Sequence, residues 1–272
     1  MEQSETPARE LTLEEAIALA ILLQKNGQLA EAWELYRRVL ETAPDHPHAL
    51  HYAGVLVHQQ GRRDEAVALI ERSLALVPDQ ADCYSNLGIV FQSDGRLEAA
   101  IAAYQRAIAI DPSHANAHSN LGVLLRATGK PSEAEAAYRE ALRIHPDLFD
   151  GKVRLGYALF QLGRVEEAWP LLAQAYQEQP DYDYDRLLWN LARCQAKRGE
   201  LEDARKFYEY FLTKHSYSEA QIEYAQVLTQ LGETEASKAT LNELLTDIEF
   251  SPRYARARER RWAREAKRLL RA

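Results

Sequence analysis

The chain has 272 residues and a formal net charge of −8, with 46% hydrophobic and 27% charged residues. This composition supplies enough apolar side chains for a core and excludes an intrinsically disordered chain. The acidic balance argues against wholesale nucleic-acid binding. No N-terminal apolar stretch follows a basic region and no apolar run approaches the about 20 residues that cross a bilayer, so we expect neither a signal peptide nor a transmembrane helix. We therefore expect a cytoplasmic protein.

In chain order, a polar segment over residues 1–12 comes first and is expected to be flexible. A period of 34 residues then organises the chain, and four sets of residues share it. These sets are Gly27, Gly61, Gly95, Gly129 and Gly163; Ala32, Ala66, Ala100, Ala134 and Ala168; Pro44, Pro78, Pro112, Pro146 and Pro180; and Gly54, Gly88, Gly122 and Gly156. A fixed period of this length is the signature of a helical repeat array.

Each period predicts two amphipathic helices. In the third period, residues 81–93 place apolar side chains at three- and four-residue intervals, which makes one helical face. Gly95 is suited to end this helix, and a second helix is predicted over residues 97–109. Because Gly88 and Ala100 have almost no side chain, the two helices can approach closely there.

These residues resemble the tetratricopeptide repeat signature, W-x2-L-G-x2-Y, then A-x3-F, then P. In the third period the matching residues are Tyr84, Leu87, Gly88, Phe91, Ala100, Tyr104 and Pro112. The resemblance implies an all-α, right-handed superhelical solenoid of about seven helix-turn-helix units. It also implies that the first helix of each unit lines a concave groove that binds extended peptides.

The expected array spans residues 13–250, with units at about 13–46, 47–80, 81–114, 115–148, 149–182, 185–217 and 218–250. The period slips after Pro180, which indicates a two-residue insertion within residues 181–185. In the seventh unit Ala236 stands one residue early for the small position. Residues 251–272 hold nine Lys or Arg and two Glu, and they predict a basic capping helix with Tyr254, Trp262 and Ala266 among its apolar residues.

Candidate groove residues follow from the position two residues before the small residue of each first helix. This position reads Ala18, Tyr52, Asn86, Asn120, Arg154, Asn190 and Glu223. Asn86 and Asn120 form a short asparagine ladder, because an asparagine amide can bond a peptide backbone as donor and acceptor. The ladder resembles the substrate-receiving repeats of O-linked N-acetylglucosamine transferases, although the resemblance does not imply glycosyltransferase activity.

Basic residues on the first helices of the fourth to sixth units give the groove a second feature. If they converge, this part of the groove favours an acidic peptide; the alternative is that they are surface charges paired with Asp150, Glu219 or Glu223. The full set of predicted peptide-binding residues is Tyr52, Asn86, Asn120, Arg126, Arg154, Arg186, Asn190 and Arg193.

Catalytic and metal-binding patterns are absent from the sequence. It has no GxSxG, phosphate-binding glycine loop, HExxH or GxGxxG motif. His46, His48 and His51 lie near one another, but no carboxylate or thiolate completes a ligand set. Cys83 and Cys194 are far apart and are expected to be reduced thiols. We therefore predict a protein that is not an enzyme and needs no metal or cofactor.

The leading hypothesis is a scaffold or adaptor that binds an extended protein segment in the groove. An alternative is an anionic-surface tether, to membrane or nucleic acid, through the C-terminal helix. The residues for that tether are Arg256, Arg260, Arg261, Arg264 and Arg268. A further alternative is a homo-oligomeric scaffold, formed by stacked array ends or by a terminal segment such as residues 1–10 inserted into a neighbouring groove.

Overall fold

The computed structural model describes residues 11–180, 182 and 186–271, and within residues 253 and 254 only the backbone. Most of the predicted flexible segment at residues 1–12 and most of the predicted insertion at residues 181–185 lie outside this range. So does the side chain of Tyr254, which was predicted to pack in the cap.

Fifteen α-helices and no strands are present in the described residues. They are α1 (Leu13–Lys25), α2 (Leu29–Thr42), α3 (Pro47–Gln59), α4 (Arg63–Leu76), α5 (Ala81–Ser93), α6 (Leu97–Ile110), α7 (Ala115–Ala127), α8 (Pro131–Ile144), α9 (Phe149–Gln161), α10 (Val165–Glu178), α11 (Arg186–Arg198), α12 (Leu201–Leu212), α13 (Ser218–Gln230), α14 (Thr234–Phe250) and α15 (Arg253–Leu269). Over the described residues, no helix combines the length and the apolar character needed to cross a membrane.

The described residues fall into two compact units, those up to 128 with 143–145 and those of 129–142 with 146–271. In the first unit, α1 packs on α2, α3 on α4 and α5 on α6. The first helices of successive repeats also contact one another, α1 with α3, α3 with α5 and α5 with α7. We call the continuous surface that these helices share the first-helix face of the unit.

Close approach at small residues builds each helix pair. Gly88 lies so near α6 that an added Cβ would stand 2.6 Å from Cε1 of Tyr104. Tyr104 is fully buried, and its hydroxyl donates to Oε1 of Gln92 at 3.0 Å. Gly95 has φ +74° and ends α5 in the left-handed conformation, which glycine adopts without strain. The third repeat therefore has the helices and the turn that its sequence predicts.

The second unit repeats this pattern and ends in a cap. Its first helices α9, α11 and α13 contact in order, and α15 packs on α13 and α14. Ala266 of α15 is fully buried in an apolar cluster with Ile222 and Leu241, and Trp262 packs against the same cluster. The apolar side of α15 thus covers the last repeat, as a solenoid end requires.

The small position of the last repeat differs from the sequence interpretation. Ala236 is exposed, whereas Ser237 is buried and its hydroxyl donates to the carbonyl of Ala225 at 2.8 Å. The prediction that Ala236 takes this position was wrong. The whole repeat is shortened, since Gly199 and Gly232 are 33 residues apart, and a serine fits because its hydroxyl bonds the facing helix backbone.

We expect Gly88→Ala to lower the free energy of unfolding by about 1–2 kcal/mol. Overpacking against Tyr104 costs about 1–3 kcal/mol, more than the about 0.5–1 kcal/mol that alanine gains over glycine in a helix. Gly151→Ala is the matched control, because the nearest atoms that its Cβ would meet belong to the side chains of Leu142 and Leu148 at 3.2 Å, farther than the Tyr104 ring is from Gly88; it should lower stability less than Gly88→Ala does. Urea unfolding followed by circular dichroism measures both, and equal shifts would contradict the packing argument.

Candidate functional site

Polar side chains link neighbouring first helices of the first unit at a constant spacing. Gln24 Nε2 donates to Gln59 Oε1 at 3.1 Å, and His58 Nε2 lies 2.8 Å from the Ser93 hydroxyl. His51 and Asn86 form a third pair. All three pairs are 35 residues apart, one more than the sequence period. The first-helix face therefore carries a series of polar contacts from repeat to repeat.

The predicted ladder residue Asn86 is engaged by the buried His51. Its Nδ2 donates to Nε2 of His51 at 2.8 Å, and the imidazole stacks on the Tyr52 ring with centroids 4.7 Å apart. Since Nε2 accepts this bond, the proton of the neutral ring lies on Nδ1. Burial lowers the pKa of His51 to about 4, so the ring is neutral at physiological pH. One amide hydrogen of Asn86 is thus used within the protein.

A cavity of about 230 Å³ opens beside Tyr52 and His51. Asp82 in its wall accepts from His114 Nε2 at 3.0 Å, while His114 Nδ1 accepts the Ala117 backbone N–H at 3.2 Å. Asp111 accepts bonds from the backbone and hydroxyl of Ser113, which lower the pKa of its carboxyl group. The full lining is His48, His51, Tyr52, Gln80, Ala81, Asp82, Asp111 and His114. Two carboxylates and no Lys or Arg thus face this space.

The sequence interpretation did not name Asp82, Asp111 or His114, although a signal for two of them exists. His114 follows Asp82 by 32 residues, and His46 follows Glu14 by the same interval, with Nε2 of His46 lying 3.3 Å from Glu14. In both cases the histidine precedes a first helix and accepts a backbone N–H in its first turn. An acid followed by a histidine 32 residues later therefore marks a contact between one first helix and the residue that caps the next first helix.

In the second unit, the predicted ligand residue Arg193 is bound to Glu223. Its Nε lies 3.1 Å from Oε1 of Glu223, whose Oε2 accepts from Trp189 Nε1 at 2.7 Å and from the Tyr208 hydroxyl at 3.1 Å. Burial raises the pKa of Glu223 despite these partners. The Arg193 guanidinium also lies over the Phe160 ring, 4.9 Å from its centroid. Arg193 thus joins an internal polar and aromatic cluster.

The other predicted groove residues are placed as follows. Arg154 Nη2 lies 3.5 Å from Asp150, and Asn190 Nδ2 donates to the Arg186 carbonyl at 2.8 Å. Arg154 and Arg193 thus pair with two of the acids that the surface-charge alternative names, although Arg193 does so within an internal cluster and not as a solvated surface charge. Arg186 is exposed, and the other predicted groove residues are partly buried on first helices; they are Tyr52, Asn86, Asn120, Arg126, Arg154, Asn190 and Arg193.

Other candidate chemistry is sparse. Cys83 and Cys194 are free and buried, and burial raises their pKa values to about 11 and about 12, so both stay protonated thiols. Within the described part of the chain, no group of three histidine, cysteine or acidic side chains is arranged to hold a metal ion.

The low pKa of His51 gives a testable pH dependence. In the unfolded chain the ring takes up a proton near pH 6.5, and in the folded protein only near pH 4. Stability is therefore full above pH 6.5 and falls as pH decreases toward 4, by up to about 3 kcal/mol. Asp82 opposes this shift and His48 adds to it. His51→Gln, unfolded in urea across this range, should remove this part of the pH dependence; an unchanged slope would contradict the assignment.

Models of the tetratricopeptide repeat match residues 12–79 and 49–113, residues 85–149 and residues 159–209. No curated protein sequence matches the chain.

Several solved structures are similar in fold. A tetratricopeptide repeat protein from Parabacteroides merdae is 17% identical with a TM-score of 0.59, and the match covers 95% of this chain and 97% of that one. A thermophilic repeat protein of Thermus thermophilus is 23% identical with a TM-score of 0.55, and the match covers 68% of this chain and 100% of that one. MamA is 24% identical with a TM-score of 0.52, and the match covers 61% of this chain and 96% of that one. With its repeat models, helix pairs and turns in agreement, the chain belongs to the tetratricopeptide repeat family.

Proposed function

We propose that this protein is a non-catalytic scaffold that binds an extended segment of a partner protein on its first-helix face. The repeat fold supports a role in protein–protein interaction in general, because stacked repeats present long surfaces to partners. The free thiols of Cys83 and Cys194 suit a reducing compartment, and the proposal places the protein in the cytoplasm.

The cavity beside Tyr52 is the observation that carries the proposal. It lies next to the predicted groove residues Tyr52 and Asn86, since its wall includes His51, to which Asn86 is bonded. An extended segment passing this point can place one side chain in the cavity. The amide of Asn86 retains a carbonyl and one N–H, which suit the acceptor and donor of a peptide unit.

Charge narrows the kind of side chain that would fit. Asp82 and Asp111 line the cavity without a Lys or Arg, so a basic or neutral polar side chain suits the first unit better than an acidic one. In the second unit, Arg154 and Arg193 have their own carboxylates. Arg186 and Lys197 have no carboxylate partner among the described residues, and an acidic residue of the partner would suit these two. We propose that the positions of charged side chains along the segment, together with hydrogen bonding and shape, select it more than its net charge does.

Capture of partners by variants of the full chain tests this function. Tyr52→Ala with Asn120→Ala removes side chains from the first-helix face of the first unit. The matched control, Arg38→Ala with Glu71→Ala, changes exposed residues of the second helices α2 and α4. Proteins captured from native lysate are identified and quantified by mass spectrometry. We expect the wild type and the control to capture the same partners, and the face variant to capture about tenfold less of them or lower, as for the loss of a binding hot spot.

Equal capture by all three proteins would show that this face does not hold the partner. Circular dichroism and the melting temperature of each variant provide the check on folding, and a face variant with a lowered helix content would be replaced by the single change Asn120→Ala.

A further inference from the structure

Helix α15 presents a row of positive charges to solvent. Arg256, Arg260, Arg264, Lys267 and Arg271 are all exposed, and we call these five residues the basic stripe. At 100° per residue the four that lie within α15 fall in an arc of about 80°, and they span about 17 Å at 1.5 Å per residue. Arg271 follows just past the end of the helix.

The basic stripe lacks the internal partners that arginines have elsewhere in the protein. Arg205, for example, lies 3.0 Å from Glu202 and 2.7 Å from Glu233, and Arg164 pairs with Glu135 and Glu167. Among the described residues, no stripe residue forms an ion pair, and Arg264 Nε donates only to the carbonyl of Arg260 at 3.4 Å. Like charges four residues apart repel one another along a helix. An external anion would relieve this repulsion.

Two shallow concavities lie along the stripe. One, of about 370 Å³, is lined by Arg256 and Arg260 with Ile248 and Ala263. The other, of about 550 Å³, is lined by Arg264, Lys267, Arg268 and Arg271. The first joins guanidinium groups to an apolar floor, an arrangement that fits the methylene groups and the carboxylate of a glutamate side chain.

We propose that the basic stripe binds an acidic helical segment of a partner protein, with carboxylates at every fourth position. Residues four apart on a helix rise about 6 Å, so the carboxylates of such a segment match the spacing of the stripe. Arginine, which makes up four of the five stripe residues, bonds carboxylates in a two-pronged geometry that lysine lacks.

A narrow acidic segment suits the surroundings better than a polyanion or a bilayer. Residues outside 251–272 carry a net charge of −15, and Glu243 and Asp247 line another concavity of the last repeat. A nucleic acid or membrane that extended past the stripe would meet this repulsion. Trp262 packs against the apolar cluster under α15, so it is occupied within the protein and not presented as an interfacial anchor.

Fluorescence anisotropy with the full chain tests the proposal. The probe is a labelled alanine-rich helical peptide with glutamate at every fourth position, and its glutamine counterpart is the negative probe. We expect the glutamate peptide alone to bind at low salt and to be released near 1 M salt, where the screening length falls to about 3 Å. Arg260→Gln, Arg264→Gln and Lys267→Gln together should weaken binding about tenfold or more, as three exposed ion pairs are lost.

The matched control removes the same charge elsewhere. Arg37, Arg72 and Arg106 are paired arginines of the second helices, and their change to glutamine should leave the affinity unchanged. No binding of the glutamate peptide, or an equal loss in the control, would overturn the proposal. Tighter binding of duplex DNA or phosphatidylserine vesicles would overturn the choice of partner. Because none of these residues lies on the first-helix face, a failure here would be distinct from a failure of the proposed function.

Discussion

The fold depends on the close contact between the two helices of each repeat. At Gly54, Gly88 and Gly156 the facing helix is so near that a methyl group would stand 2.6 Å from a side-chain atom. This contact fixes the geometry of each pair, and the pairs then bury one another, because a single pair cannot cover its own apolar surface. The surfaces that could meet a partner follow from it, since the first helices are brought side by side only when every pair is tightly closed.

The sequence predicts this contact well because it depends on local periodicity. The limits of α5 agree with the expected residues 81–93, and α6 ends one residue later than expected. The prediction weakens where the period changes. Ser237 occupies a position that the alanine pattern assigned to Ala236, since a serine hydroxyl bonded to the backbone of the facing helix can replace a methyl group there.

The site was less predictable than the fold, since side-chain partners lie across repeats. The sequence predicts that Arg193 binds a ligand, whereas in the structure Arg193 pairs with Glu223, whose carboxylate also accepts bonds from Trp189 and Tyr208. The sequence likewise predicts that the Asn86 amide is available to a peptide, whereas in the structure it donates one hydrogen bond to His51. Periodicity places each of these residues on a first helix. It does not predict which polar side chains bond to one another across repeats and which stay available to bind a ligand.

The polar contacts between first helices also bear on how the first unit would open. In a repeat array, stability is a sum of terms for each repeat and terms for each junction. Two polar contacts hold the junction between the first two repeats, Gln24 with Gln59 and Glu14 with His46. Two more hold the next junction, His51 with Asn86 and His58 with Ser93. Separating a repeat here exposes both an apolar surface and a broken hydrogen-bond pair. The first three repeats should therefore exchange their amide hydrogens as one cooperative block instead of fraying one helix pair at a time.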